Sequence, residues 1–302
     1  MLKSIGGVFP PIPTPFDASG SIDLAALSGN LRWWNAHEFA GIVILGSNGE
    51  AVHLSEAEKL ELVRRVRDET QSDRLVMAGA GLHGTDSTID LTKRVADAGA
   101  DVALILPPSY YRGLMDGATL AEHFEAVADA SPIPLILYNM PANTGIDMQA
   151  DLIGELAKHD NIAGLKDSSG NVARLAELRG RVDPGFALLA GSAGFLLPAL
   201  AVGADGGVLA LSNIAPSVCL EIYRLAKAGA WAEARALQNR VVRANRAVTR
   251  GWGVPALKAA MEMIGLVGGL PRPPLRPFPD ELKDELRLIL DEAGLMPPKE
   301  TG

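Results

Sequence analysis

The sequence predicts an α/β fold, a (β/α)8 TIM barrel followed by a three-helix C-terminal extension, on three observations. Short apolar runs alternate with longer amphipathic ones almost from end to end of the 302 residues. The short runs are continuously apolar and not alternating, as suits strands covered on both faces in a parallel sheet wrapped by helices. Eight strand-helix pairs follow one another, and eight such units closing on themselves make a barrel whose usual length is about 250 residues.

In chain order the strand candidates are "GGVFPPI" (6–12), "AGIVILGS" (40–47), "RLVMAGAG" (74–81), "DVALILP" (101–107), "PLILYN" (134–139), "IAGLKD" (162–167), "FALLAGS" (186–192) and "GGVLALS" (206–212). Each is followed by a helix-like stretch; in "SEAEKLELVRRVRDET", Ser55 and Glu58 have capping-box spacing. The eighth pair ends near Gly229, which bounds the barrel at 1–229. Residues 230–302 then hold three further helical stretches, "WAEARALQNRVVRANRAV", "VPALKAAMEMIG" and "DELKDELRLILDEAG", with the proline-rich "LPRPPLRPFPD" before the last. No charge-block linker or low-complexity tract separates the parts, so the extension is expected to pack on the barrel as one structural unit. From Gly185 to Ala204 the chain is uncharged for the length of a membrane span. Gly191, Ser192, Gly194 and Pro198 break it, and a buried strand, a turn and a buried helix explain it better than insertion does.

Charged residues make up 21% and the formal net charge is -8, so no basic excess exists with which to track nucleic-acid phosphates. A small anionic substrate remains allowed, because local fields hold it. The one cysteine, Cys219, can form neither a disulfide framework nor a thiolate metal cluster within the chain. A reducing compartment is expected. The opening residues lack signal-peptide and transit-peptide character, and the expected location is the cytoplasm.

In such barrels chemistry sits at the carboxyl ends of the strands. Lys166 ends the sixth strand candidate, Tyr138 lies near the end of the fifth, Ser47 and Asn48 follow the second, and Gly191 and Ser192 close the seventh. A lysine delivered by an apolar strand is either snorkelling to a surface or used for its amine. In the second case desolvation lowers its pKa, and the neutral amine can attack a carbonyl to form a Schiff base. The protonated imine then allows a carbon-carbon bond beta to it to be made or broken through an enamine. A proton relay is needed, which Tyr138 can supply; alternatively Tyr138 is a core or interface tyrosine with a satisfied hydroxyl. "GSNGE" (46–50) is either an ordinary turn or a cradle whose backbone N-H groups, Ser47 and Asn48 hold a carboxylate or ketone oxygen. Gly191 and Ser192 could likewise offer backbone amides to an anion.

"GAGLHG" (79–84) matches the dinucleotide fingerprint letter for letter, but the next strand carries its acid at the start, and eight repeating units argue against a doubly wound sheet. His37, His53, His83, His123 and His159 show no paired metal-ligand spacing, which leaves a zinc-dependent aldolase the weaker reading. His37 and His123 read as helical and locally satisfied.

The motifs "GSNGE", "YYRG", "YNMPANTG", "GLKDSSG" and "LAGSAGF", in this order and at these intervals, resemble the dihydrodipicolinate synthase and N-acetylneuraminate lyase superfamily of Schiff-base barrels over essentially the whole chain. The resemblance implies Lys166 as the imine-forming lysine, Tyr138 as catalytic acid/base, and Ser47 and Asn48 at the family's hydroxyl pair, which binds the keto-acid carboxylate and relays protons. Tyr111 matches the tyrosine that a neighbouring subunit contributes. It also implies pyruvate as substrate, no cofactor, and a homo-oligomer, commonly a dimer of dimers.

Two departures narrow the choice. Dihydrodipicolinate synthases usually carry two threonines in the turn and an arginine after the proline of the tyrosine motif, where this chain has Ser47, Asn48 and Asn143. A neutral amide cannot give arginine's bidentate, charge-assisted grip on a carboxylate. The turn, "SPIPLILY", "PANTG" and "AVTRGWGVPALK" instead resemble 4-hydroxy-2-oxoglutarate aldolase, which yields pyruvate and glyoxylate. On that resemblance Ser168 and Asn143 could meet the distal carboxylate, and as a separate hypothesis Arg112 supplies the missing positive charge. Dihydrodipicolinate synthase, a 2-keto-3-deoxy sugar acid aldolase or dehydratase, pyridoxal phosphate on Lys166, and a non-catalytic barrel remain the competing expectations.

Overall fold

The structure, a computed structural model, describes residues 5–297. Eight parallel strands form the sheet: β1 (Gly7–Phe9), β2 (Gly41–Ile44), β3 (Leu75–Gly79), β4 (Val102–Ile105), β5 (Leu135–Asn139), β6 (Ile162–Asp167), β7 (Ala187–Ala190) and β8 (Gly206–Val208). Consecutive strands from β2 to β8 pair in order, and β8 pairs with β1. Closure between β1 and β2 is made by the chain around Pro10: Ala40 N donates to Val8 O at 3.1 Å, Val43 N to Pro10 O at 3.0 Å, and Ile12 N to Val43 O at 2.9 Å. Proline lacks an amide hydrogen, so Pro10 joins the ladder through its carbonyl alone. The result is the TIM barrel that the apolar runs predict.

Strand parity divides the core in two. Side chains such as Phe9, Val43, Met77, Leu104, Ile136 and Leu189 fill the barrel interior, while a larger set including Trp34, Leu62, Phe124, Leu178 and Leu257 packs between the sheet and its helices. Both faces of every strand are therefore dry, which is the physical reason the strands read as unbroken apolar runs. Between β5 and β6 the register shifts at Leu135/Ile136, after which Tyr138 stands opposite Lys166 and Asn139 opposite Asp167.

Helices follow the strands at Leu24–Asn35, Glu56–Glu69, Thr85–Asp97, Gly117–Ala130, Ala150–Leu156, Val172–Arg179, Leu196–Ala201 and Pro216–Lys227. The expected capping box is present, with Ser55 Oγ accepting from Glu58 N at 3.3 Å and Glu58 Oε2 accepting from Ser55 N at 2.7 Å. The eighth strand is shorter than its apolar run. It ends at Val208, and Ala210–Asn213 forms a 3-10 turn in which Ser212 Oγ donates to Leu209 O at 2.7 Å and Asn213 Nδ2 donates to Pro11 O and Ala210 O at 3.0 Å. Side-chain bonds to nearby carbonyls compete with the ladder. His37 falls two residues beyond the helix Leu24–Asn35, and its Nδ1 lies 2.9 Å from Trp33 O. His123 is buried on a helix with its Nδ1 2.9 Å from Thr85 Oγ1.

The extension consists of Trp231–Arg246, a π-helical turn Ala247–Gly251, Gly253–Met263, and a 3-10 turn Asp280–Leu282 leading into Lys283–Glu292. Gln238, on the inner face of its first helix, accepts from Leu197 N at 3.0 Å and donates to Ala193 O at 2.7 Å. Residues 185–204 contribute β7, a 3-10 turn at Ala193–Phe195 and the helix Leu196–Ala201, and among the described residues no helix is long and apolar enough to cross a membrane.

Candidate active site

Alternation along β6 decides the fate of the lysine that ends it. Leu165 points to the outer core, so Lys166 points into the barrel, and Asp167 points out again. Lys166 is only 3% exposed, and its Nζ lies 3.8 Å from the centre of the Tyr138 ring. It does not snorkel. Asp167 is pinned on the other side, where Asn139 Nδ2 donates to its Oδ1 at 3.1 Å and Arg174 Nε lies 3.6 Å from its Oδ2. Arg174 in turn holds Asp147 through two contacts, 2.6 and 3.0 Å. These contacts fix the ends of β5 and β6 and so hold the lysine beside the tyrosine.

Tyr138 is buried at 4% exposure. Burial, the largest influence on its phenol, pushes the pKa up, but the positive charge of Lys166 and side-chain hydrogen bonds from Ser47, Lys166 and Ser168 outweigh it, so the phenol is held below the ordinary tyrosine value. A phenol whose anion is stabilised in this way, beside an amine, can take up and return a proton.

Ser47 arrives on the 3-10 turn Ser47–Gly49, which Leu45 and Gly46 join to the end of β2. Two non-glycine residues flank that turn in the left-handed region, Leu45 at φ 60° and Glu50 at φ 55°. Each costs on the order of 1–2 kcal/mol, a strain that surrounding structure must hold in place. Thr14 Oγ1, fully buried, donates to Gly49 O at 2.8 Å and is one such support. Ser168 follows the lysine strand and lies against Gly191; a Cβ on Gly191 would come within 2.0 Å of Ser168 Oγ and 2.8 Å of Asp167 O. Only glycine permits that approach. Ser192 Oγ accepts from Asn245 Nδ2 at 3.0 Å and from Gly194 N at 3.2 Å, which ties it to the extension.

A cavity of about 180 Å³ is lined by Ser47, Tyr138 and Asn143 among apolar residues such as Leu45, Leu104 and Leu106; Lys166, Ser168, Gly191 and Ser192 are not in its lining. Asn143 sits on the short helix Pro141–Thr144. Asn48 is half-buried next to Ser47. Tyr111 and Arg112 stand apart: Tyr111 is 68% exposed and packs edge-on against Tyr110 at 4.9 Å, outside this chain's own cavity. Arg112 is exposed, with its Nη1 2.9 Å from where a Cβ on Gly145 would stand.

Lys59 was not singled out by its sequence context, yet it lines the same cavity, half-buried, and desolvation lowers its pKa. The available signal is its place on the buried stripe with Val63 and Val66, at helical spacing. Among the described residues no cluster of His, Cys, Asp or Glu could hold a metal ion.

A buried lysine and tyrosine at the carboxyl end of a parallel eight-stranded barrel, with serine hydroxyls around the phenol, have the form of a Schiff-base lyase. The profile of the Dihydrodipicolinate synthetase family matches residues 4–293, and the chain belongs to that family. Its members are class I, pyruvate-dependent carbon-carbon lyases that form a Schiff base on a lysine and need no cofactor. A protein of Emericella nidulans named probable mitochondrial 4-hydroxy-2-oxoglutarate aldolase is 38% identical over 275 residues, covering 89% of each chain. The 4-hydroxy-tetrahydrodipicolinate synthase of Methanothrix thermoacetophila is 38% identical over 291 residues, covering 95% of this chain and 97% of the other. Among solved structures, a dihydrodipicolinate synthase of Bacillus anthracis superposes with a TM-score of 0.92 at 30% identity, over 96% of this chain and 99% of its own.

Proposed function

We propose that this protein cleaves 4-hydroxy-2-oxoglutarate to pyruvate and glyoxylate. The observation that carries the choice of substrate is Asn143, a neutral amide lining the cavity beside Ser47 and Tyr138, where a dihydrodipicolinate synthase would be expected to place an arginine. The reading gains support from the aldolase-named relative, while the more numerous synthase-named relatives favour condensation of pyruvate with aspartate semialdehyde as the second reading.

In the proposed reaction the Lys166 amine attacks the C2 ketone, and loss of water leaves a protonated imine. Tyr138 takes the C4 hydroxyl proton, the C3-C4 bond breaks, and its electron pair moves into the imine to give an enamine as glyoxylate leaves. Protonation at C3 and hydrolysis release pyruvate and restore the amine. Ser47 relays protons to and from Tyr138; Ser47, Asn48 and the Gly191–Ser192 backbone receive the carboxylate next to the ketone. Ser168 and Asn143 meet the distal carboxylate, and Arg112 adds charge at the mouth. If Arg112→Ala leaves the KM for the dianionic substrate unchanged, that assignment of Arg112 fails.

Tyr111 completes the relay of a second copy in this reading. The exposed apolar side chains Val52, Tyr110, Tyr111 and Leu114 give such a copy a surface to cover, and the assembly proposed is a dimer of dimers. Barrel (1–229) and extension (230–302) are taken as one working unit, and the cytoplasm as its place. The test is pyruvate release from 4-hydroxy-2-oxoglutarate beside condensation of pyruvate with aspartate semialdehyde, on one preparation. Efficient cleavage with weak condensation is expected; dominant condensation would overturn the choice of substrate.

A further inference from the structure

The strained turn that carries Ser47 is gripped from outside the barrel. Glu50, which ends the turn, is 2% exposed, and Lys258, on the second helix of the extension, is equally buried. Lys258 Nζ lies 2.6 Å from Glu50 Oε1 and donates to Leu270 O at 2.8 Å. The other carboxylate oxygen, Glu50 Oε2, accepts from Arg272 N at 2.8 Å, with His53 Nδ1 3.4 Å away. The lysine Nζ is 4.6 Å and the Arg272 guanidinium 4.3 Å from the centre of the Phe16 ring.

The strap that brings Leu270 and Arg272 here passes where side chains would not fit. A Cβ on Gly268 would meet Lys258 O at 2.2 Å, and one on Gly269, at φ 68°, would meet Phe16 O at 2.7 Å. Leu270 N then bonds Phe16 O at 3.1 Å. A buried ion pair is weak ground for stability, because desolving two charges offsets most of their attraction; its best-attested use is to fix one arrangement among several. Here the arrangement fixed is a left-handed non-glycine residue three positions after Ser47.

We propose that Lys258 and Glu50 are positioning residues: their buried ion pair locks the Ser47–Gly49 turn to the C-terminal extension and so holds the Ser47 hydroxyl on the phenol of Tyr138. This inference rests on the proposed role of Ser47 in the reaction, although the position of the turn does not. The extension thereby becomes part of the relay's support, and burial already strains the lysine's charge: desolvation, joined by the nearby Arg272 charge, holds its pKa below the ordinary lysine value despite Glu50.

The test is the double variant Glu50→Gln/Lys258→Met in the full chain. Either single change strands a buried charge and risks unfolding, whereas removing both is tolerated far better. The expected result is a folded protein whose crystal structure shows the turn displaced and Ser47 out of reach of Tyr138. Its kcat for 4-hydroxy-2-oxoglutarate falls about 10²-fold or more, the scale of losing one oriented hydrogen bond in an active site. Borohydride trapping at saturating pyruvate still labels Lys166. An unmoved turn overturns the inference whatever the activity, and so does a wild-type kcat in the folded variant. If the wild-type protein cleaves nothing, the substrate reading fails, and the position of the turn still decides this one.

Discussion

At the scale of single residues, the proposed chemistry rests on two side chains that strand alternation turns inward from neighbouring strands. Tyr138→Phe removes the relay and is expected to lower kcat by about 10²–10⁴-fold, measured as pyruvate release, with trapping on Lys166 retained. The phenol itself can be followed by alkaline absorbance titration, taking Tyr138→Phe as the blank. Its step should lie below the ordinary value of 10.0, and Lys166→Met should move it upward, because burial is then opposed only by the Ser47 and Ser168 hydrogen bonds. A step that stays in place would contradict the charge of Lys166 as the opposing influence. That Lys166 and Tyr138 face the barrel interior was legible in the sequence because an apolar strand fixes which way its last residues face, whereas Ser47 stood out through the glycine-flanked turn and the family resemblance. Lys59 and Lys258 were not legible, since a lysine on an amphipathic helix ordinarily reads as solvated, and only the packing of other elements reveals which are buried.

At the scale of elements, all eight strands were legible because burial on both faces leaves no polar register to misread. Their ends were less so. The apolar run at 206–212 continues past Val208, but Ser212 and Asn213 bond nearby carbonyls and convert its end to a turn. The capping box was read correctly, though its second use was hidden: Glu58 also receives Arg272 Nη1 at 3.0 Å and Nη2 at 2.6 Å. Those hydrogen bonds, the largest influence, hold the Glu58 pKa at about 2, down from 4.5, against a smaller opposing effect of burial. A carboxyl lowered in the folded state stabilises fully above its unfolded pKa and loses that contribution as pH falls through the folded one. Arg272→Ala should therefore flatten the loss of stability between about pH 4.5 and pH 2, read from urea midpoints. With the pair partly solvated, the effect is about 1 kcal/mol; an unchanged acid limb would contradict the linkage.

At the scale of the whole molecule, the proposed relay is shared between copies. Tyr111 stands 68% exposed outside its own cavity, and in the proposed function a second copy places it. Mixing Lys166→Ala and Tyr111→Phe subunits should restore activity that neither variant has alone, because one site of each mixed dimer then holds both wild-type groups. Random exchange gives about a quarter of wild-type turnover, and no recovery would mean that Tyr111 serves its own chain or none. The barrel was legible from its repeats, and so was the presence of three further helices. That one of those helices reaches the Ser47 turn was not, because the contact joins Glu50 to Lys258 across 208 positions and depends on a double-glycine strap whose purpose only the packing discloses.

Catalysis through an imine on Lys166 is tested most directly by mass spectrometry of the protein after borohydride reduction with pyruvate. The predicted result is one pyruvate-derived adduct, on the peptide containing Lys166, and none in Lys166→Ala. An adduct on Lys59, the lysine that lines the cavity over Tyr138, or no adduct at all, would contradict it.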